Sequence, residues 1–159
     1  MQTRLLAVLA VCLAASLPYA STINNYFVND DFGVVQLLTQ KPLFYFPTWF
    51  VTSWMDNIWG ATQDEIRPFP AVTYQFAGLW GAASPVANHL TNIAFHAASA
   101  LLVLAVARIA AGLSLLGSTF AALVFAILPL HAESVAWITG RVDTIPAVFF
   151  LGSFVAYAH

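Results

Sequence analysis

The chain has 159 residues, of which 60% are hydrophobic and 8% charged, and its formal net charge is −2. A mean hydropathy of +0.80 excludes an ordinary soluble domain and points to a chain that crosses a membrane several times. The small, mixed charge offers no surface for nucleic acid, and the single cysteine, Cys12, lies within the first apolar run and rules out an intramolecular disulfide.

Four apolar runs are legible in chain order: Leu5 to about Ile23, His89 to about Ala111, Leu115 to Leu130, and Thr144 to the C-terminus. Each is read as a membrane-spanning helix, although the first, third and fourth are short for a bilayer that asks for about 20 residues. The first run also resembles a signal peptide, because Arg4 precedes an apolar stretch ending in Pro18-Tyr19-Ala20; the proline makes a poor small-x-small cleavage site. The segments are then 1–23, a first span; 24–88, a long loop; and 89–159, three further spans with a short loop at 131–143. The expected fold class is an all-α integral membrane protein of about four transmembrane helices with a long first outer loop.

Charge placement orients the bundle. Arg4 precedes the first span and Arg108 lies at the turn between the second and third, so both belong in the cytoplasm. All seven acidic residues, with Lys41, Arg67 and Arg141, then fall in the two outer loops. Within the long loop, "PLFYFPTWFVTSWMDNIWG" carries Phe44, Phe46, Trp49, Phe50, Trp54 and Trp59. That aromatic density fits a short interfacial helix at the headgroup level of the outer leaflet, or alternatively the core of a small cap.

Several polar groups stand out against this background. Asp30 and Asp31 are adjacent, just beyond the first span. Neighbouring carboxylates beside low-dielectric material raise each other's proton affinity, which suits a general base. A site for a divalent cation and a plain solvated turn before Gly33 are the other readings. His89, Asn92 and His96 follow an i, i+3, i+7 stripe on one helix face, expected to look into the bundle. The helix should begin at Ser84-Pro85, a hydroxyl cap followed by a first-turn proline. The two histidines are about 10 Å apart along the axis, too far to share one metal unaided, and the stripe serves equally as packing glue.

Arg67 precedes a structure-breaking Pro-Phe-Pro and could bind phosphate through its planar fork, or simply pair with Asp64 or Glu65. Finally, "LPLHAESVAWITGRVDT" places His131, Glu133, Arg141 and Asp143 between two apolar runs. A turn or two of helix over Ala132–Thr139, ended by Gly140, would release Arg141 and Asp143. The spacing matches neither the HExxH of zinc proteases nor any nucleophile elbow or Walker loop, and solvated loop charges are the alternative.

Together these stretches resemble the transmembrane and tetratricopeptide-repeat O-mannosyltransferases and their bacterial relatives. "LPLHAESVAWITGRVDT" is similar to that family's H-P-x-H-x-E-S/A-V-A-W-x-x-x-R-x-D block, with Leu130 where the family has proline. "NDD", "RPF" and "NHLTNIAFHAASALLV" follow the family order, with Asn29 where an aromatic is usual. The resemblance implies the N-terminal part of a GT-C multi-span bundle, a glycosyltransferase that moves a sugar, mannose or another hexose, from a polyprenyl-phosphate donor. The acceptor would be a hydroxyl, on protein Ser/Thr or on a glycan, outside the bacterial inner membrane.

By the same resemblance Asp30 is the catalytic base with Asp31 in support. Arg67 and Arg141 face the donor phosphate, His89 and His131 are further donors, and Glu133 and Asp143 belong to the same wall. No cofactor is implied with certainty, a divalent cation being the one candidate and no metal ligands being assigned. Family members have on the order of ten spans, so the chain reads as a fragment. A non-enzymatic membrane fragment or assembly subunit is the competing class, and a transporter fits less well because its charges would lie mid-span.

Overall fold

A computed structural model describes residues 1–55, 65–79 and 84–158. Trp59 of the aromatic stretch, the alternative Arg67 partner Asp64, and His159 lie outside the described residues. Among the described residues every regular element is helical: α1 (Gln2–Ser16) continued by a 3₁₀ segment (Leu17–Asn24), α2 (Asp31–Thr39), a second 3₁₀ segment (Leu43–Phe50), α3 (Pro68–Leu79), α4 (Pro85–Ile109), α5 (Leu115–Ile127), a 3₁₀ turn (Pro129–His131), α6 (Ala132–Ala136) and α7 (Arg141–Tyr157). The chain divides into two compact units, one formed by Met1–Ile23 with His89–His159 and the other by Asn24–Asn88.

In the first unit the core is built from small residues. Val11 and Ala15 of α1, Ala100 of α4, and Ala122 and Ala126 of α5 are fully buried and form one cluster. Helices without a water-driven force between them gain by close backbone approach, which alanine at the contact permits. α4 starts as its sequence directs: the Ser84 hydroxyl accepts the Ala87 amide at 3.3 Å and Pro85 occupies the first helical position. Beyond Ile109 the chain reverses through Gly112, whose φ of +64° suits a residue without a side chain. Ser114 then caps α5 by accepting the Gly117 amide at 3.2 Å.

Two helical runs, Gln2–Asn24 and Pro85–Ile109, are long and apolar enough to cross a membrane. Two of the four expected spans therefore stand as single helices. The third expected run is broken: α5 stops at Ile127, Leu128 is extended, and Pro129 begins a new segment bent by 48° from α5. The cause is local, since proline has no amide to continue the ladder and forces the residue before it out of helical geometry. α7, at 17 residues, is about 25 Å long by helical rise, just under a hydrocarbon core of about 30 Å.

The second unit packs α2 directly against α3, and α3 against the Leu43–Phe50 segment. A Cβ at Gly78 would sit 2.0 Å from the Thr39 carbonyl oxygen, so only glycine lets α3 lie this close to the end of α2. Trp49 and Trp54 are buried. Trp49 Nε1 donates to Gln75 Oε1 at 2.9 Å, and the Trp54 ring stacks on Tyr74 with centroids 6.4 Å apart. Phe44, Phe46 and Phe50 of the same stretch remain exposed. The long loop thus has an organised core of its own, with part of its aromatic set facing outward.

Two local expectations are corrected. Pro68-Phe69-Pro70 does not break structure but opens α3, because prolines in a first turn forgo only amides that have no helical partner anyway. Gly140 does not end a helix and release the following charges. α6 stops at Ala136 with Trp137 extended, and Gly140 leads into α7, so Arg141 and Asp143 lie in that helix's first turn. Gly140 is needed there for closeness, since a Cβ would lie 2.7 Å from the Glu133 carbonyl oxygen.

Candidate functional site

The expected site residues divide between the units. Asp30, Asp31 and Arg67 belong to the Asn24–Asn88 unit; His89, His131, Glu133, Arg141 and Asp143 belong to the other.

The two adjacent aspartates have different surroundings. Asn29 adopts a left-handed conformation, φ 49°, which asparagine tolerates better than most residues and which turns the chain into α2. Asp30 is then the N-cap and Asp31 the first helical residue, so both carboxylates gain from the positive end of the helix dipole. Asp31 is completely buried, and its Oδ2 accepts the Val28 amide at 3.1 Å. Asp30 is half-buried, and its side chain makes no capping hydrogen bond. One acid is therefore held in the framework while the other keeps its lone pairs available.

Arg67 forms an ion pair with Glu65 at 3.1 Å, both side chains being more than a third exposed, and its guanidinium lies over the Trp54 ring at 5.8 Å. The pairing with Glu65 is one of the two partners that the sequence offers. An exposed pair of this kind contributes at most about 1 kcal/mol, so the guanidinium can exchange partners cheaply.

In the first unit the polar stripe of α4 faces inward as expected: His89, Asn92, His96 and, one step further, Ser99 are all buried. Asn92 organises the loop above α6. Its Nδ2 donates to the carbonyls of Trp137 at 2.8 Å and Ile138 at 3.1 Å, and its Oδ1 accepts from Arg141 Nε at 3.0 Å. Arg141 has no exposed surface. A buried guanidinium needs such acceptors, because leaving it unpaired in low dielectric costs several kcal/mol.

The two histidines beneath this loop complete the broken end of α5. The Phe125 carbonyl would be paired four residues on by an amide, but that residue is Pro129; the His131 imidazole lies beside this turn, its ring 4.4 Å from that of Phe125. The next orphan carbonyl, Ala126, accepts from His96 Nε2 at 3.1 Å. The two rings are 5.1 Å apart, with Phe125 packed on both and the Tyr19 edge on His96. Burial holds the His131 pKa below the ordinary histidine value, opposed in part by its bond to Phe125. Cations and donors at a helix C-terminus also favour the dipole.

A small pocket of about 100 Å³ opens here, lined by His96, Ser99, His131, Ser134 and Asp143 among others. Ser99 Oγ and His131 Nε2 are buried without a hydrogen-bond partner, while Asp143 is exposed and accepts from Ser134 Oγ at 3.1 Å. Such a lining can take up hydroxyl groups or a few waters, at about 30 Å³ each. Glu133 is exposed on α6. Among the described residues no group of three or more His, Cys, Asp or Glu side chains is arranged to hold a metal ion. The sequence stripe flagged His89, Asn92 and His96 but gave no sign that Asn92 pairs with Arg141, 49 positions later. Ser99 was also missed, although it continues the same helical face.

Comparison with known proteins bears on what these residues belong to. The chain is 32% identical over 161 residues to protein O-mannosyl-transferase TMTC3 of Mus musculus, covering 98% of this chain and 16% of that protein. It is 31% identical over 163 residues to protein O-mannosyl-transferase Tmtc1 of Drosophila melanogaster, covering 96% and 18% respectively. With protein O-mannosyl-transferase TMTC4 of Mus musculus the figures are 30% over 174 residues, 95% and 22%. The chain thus spans about a fifth or less of the length of these relatives. No family model matches it, and no solved structure does.

Proposed function

Since the chain belongs to the TMTC protein O-mannosyl-transferase family, we propose that it carries part of a membrane glycosyltransferase of the GT-C kind. In this reading the enzyme transfers mannose or a related hexose from a polyprenyl-phosphate donor to a Ser or Thr hydroxyl. In it the four apolar runs are spans, with the N-terminus cytoplasmic and the long loop outside, an orientation supported by the placement of Arg4 and Arg108.

The observation that carries the reading is the unequal environment of the aspartate pair. Displacement at a sugar carbon needs a base that removes the acceptor proton as the carbon–oxygen bond forms, while the lipid phosphate leaves from the opposite face. Asp30, half-buried at a helix N-terminus and without a cap bond, is suited to that proton transfer. Asp31, buried on the Val28 amide, fixes the turn that presents it. Positive charge must meet the departing phosphate, and Arg67, exposed and weakly paired, can offer its fork. Arg141 is assigned a positioning role: held by Asn92, it braces the segment that presents His131, Glu133 and Asp143. Those three, with His89, are proposed to contact sugar hydroxyls or the phosphate.

The test is transfer of labelled mannose from mannosyl-phosphoryl polyprenol to a Ser/Thr-rich peptide by membranes expressing a full-length TMTC relative in which this chain replaces the corresponding segment. Transfer above that of control membranes, absent when a nucleotide sugar replaces the lipid donor, is expected. Equal incorporation in both membrane preparations would overturn the reading and favour a non-enzymatic assembly role.

A further inference from the structure

The end of the first unit that carries Arg4 and Arg108 holds a second cavity, which the transfer chemistry does not use. It has a volume of about 350 Å³ and lies between the start of α1, the end of α4 and the start of α5. Arg4 and Arg108 supply its charge; Val8, Leu104, Ile109 and Leu115 supply apolar walls. One guanidinium nitrogen of Arg108 donates to the Leu113 carbonyl, which fixes that side chain across the Gly112 turn while leaving its other donors unused. In sequence the acid nearest to Arg4 is Asp30 and that nearest to Arg108 is Glu133, and neither arginine has an ion-pair partner among the described residues.

We propose that this cavity binds the headgroup of an anionic phospholipid. Two arginines with unused donors can share the oxygens of one phosphate, and basic pockets between membrane helices select anionic headgroups. The apolar walls argue for a lipid over a soluble phosphate, which would gain nothing from them. Next in sequence to the lining residues Arg4, Val8 and Leu115, Leu5 and Leu9 of α1 and Leu116 of α5 are exposed and apolar, as acyl chains require.

The test is lipid retention by the purified protein. The protein is exchanged into detergent micelles containing equal amounts of phosphatidylglycerol and phosphatidylcholine, and the bound lipids are counted by native mass spectrometry. A preference of at least about fivefold for phosphatidylglycerol is expected, on the order of the contribution of one basic residue near an anionic surface. Arg4→Gln with Arg108→Gln should abolish it, and Arg4→Lys with Arg108→Lys should restore most of it. The lysine pair also serves where loss of the Leu113 contact unfolds the glutamine pair. Equal retention of both lipids by the unaltered protein, an undiminished preference in a folded glutamine pair, or displacement of the lipid by millimolar inorganic phosphate would each overturn the proposal.

Discussion

Arg141 Nε donates to Asn92 Oδ1 across 3.0 Å, joining the first turn of α7 to the middle of the polar stripe on α4. Because the same Asn92 amide also donates to the Trp137 and Ile138 carbonyls, one side chain holds both a buried charge and the backbone leading to it. Asn92→Leu removes these bonds at once while keeping the number and branching of the side-chain heavy atoms. The expected loss is about 3–5 kcal/mol, read as a lower thermal midpoint of the protein in detergent. An unchanged midpoint would show that Arg141 is held without Asn92.

The α2–α3 contact gives a prediction with a built-in control. A Cβ at Gly78 would meet backbone at 2.0 Å, whereas at Gly152 nothing lies within 4 Å. Gly78→Ala should therefore destabilise by about 1–3 kcal/mol through overpacking and make the 24–88 segment quicker to be cut by protease. Gly152→Ala, in a helix interior, should be neutral or slightly stabilising.

His131, in the loop between the third and fourth apolar runs, makes stability depend on pH. Its pKa is lowered by burial, with the Phe125 bond opposing. The unfolded chain therefore takes up the proton more readily than the folded one. Stability tied to the neutral ring is complete above the ordinary histidine pKa and is lost as pH falls through the lowered value. The thermal midpoint should drop between about pH 7.5 and about pH 5, the range over which histidine titrates. His131→Leu should flatten that slope.

Much of this organisation was legible in the sequence, for identifiable reasons. The inward stripe His89, Asn92 and His96 follows from helical periodicity, and the start of α4 follows from Ser84-Pro85, because both signals are local. The pairing of Asn92 with Arg141 joins positions 49 apart, and no local pattern encodes it. The roles of Pro68 and Gly140 were misread for a related reason: a proline or glycine marks a helix boundary without stating on which side the helix lies. The packing of Trp49 against Gln75 likewise depends on which helices meet, which an aromatic count cannot supply. The aspartate pair was visible as a feature, but its division into one buried and one available carboxylate required the turn at Asn29.

That division is the centre of the functional account, and transfer of labelled mannose from the polyprenyl-phosphate donor by Asp30→Asn and Asp31→Asn measures it directly. Loss of the general base should lower the rate by about 10²–10⁴-fold in Asp30→Asn without a change in expression or thermal midpoint. Asp31→Asn should lower the midpoint, and its rate should fall less. Undiminished transfer by both variants, or a larger rate loss in a stably folded Asp31→Asn than in Asp30→Asn, would contradict the assignment.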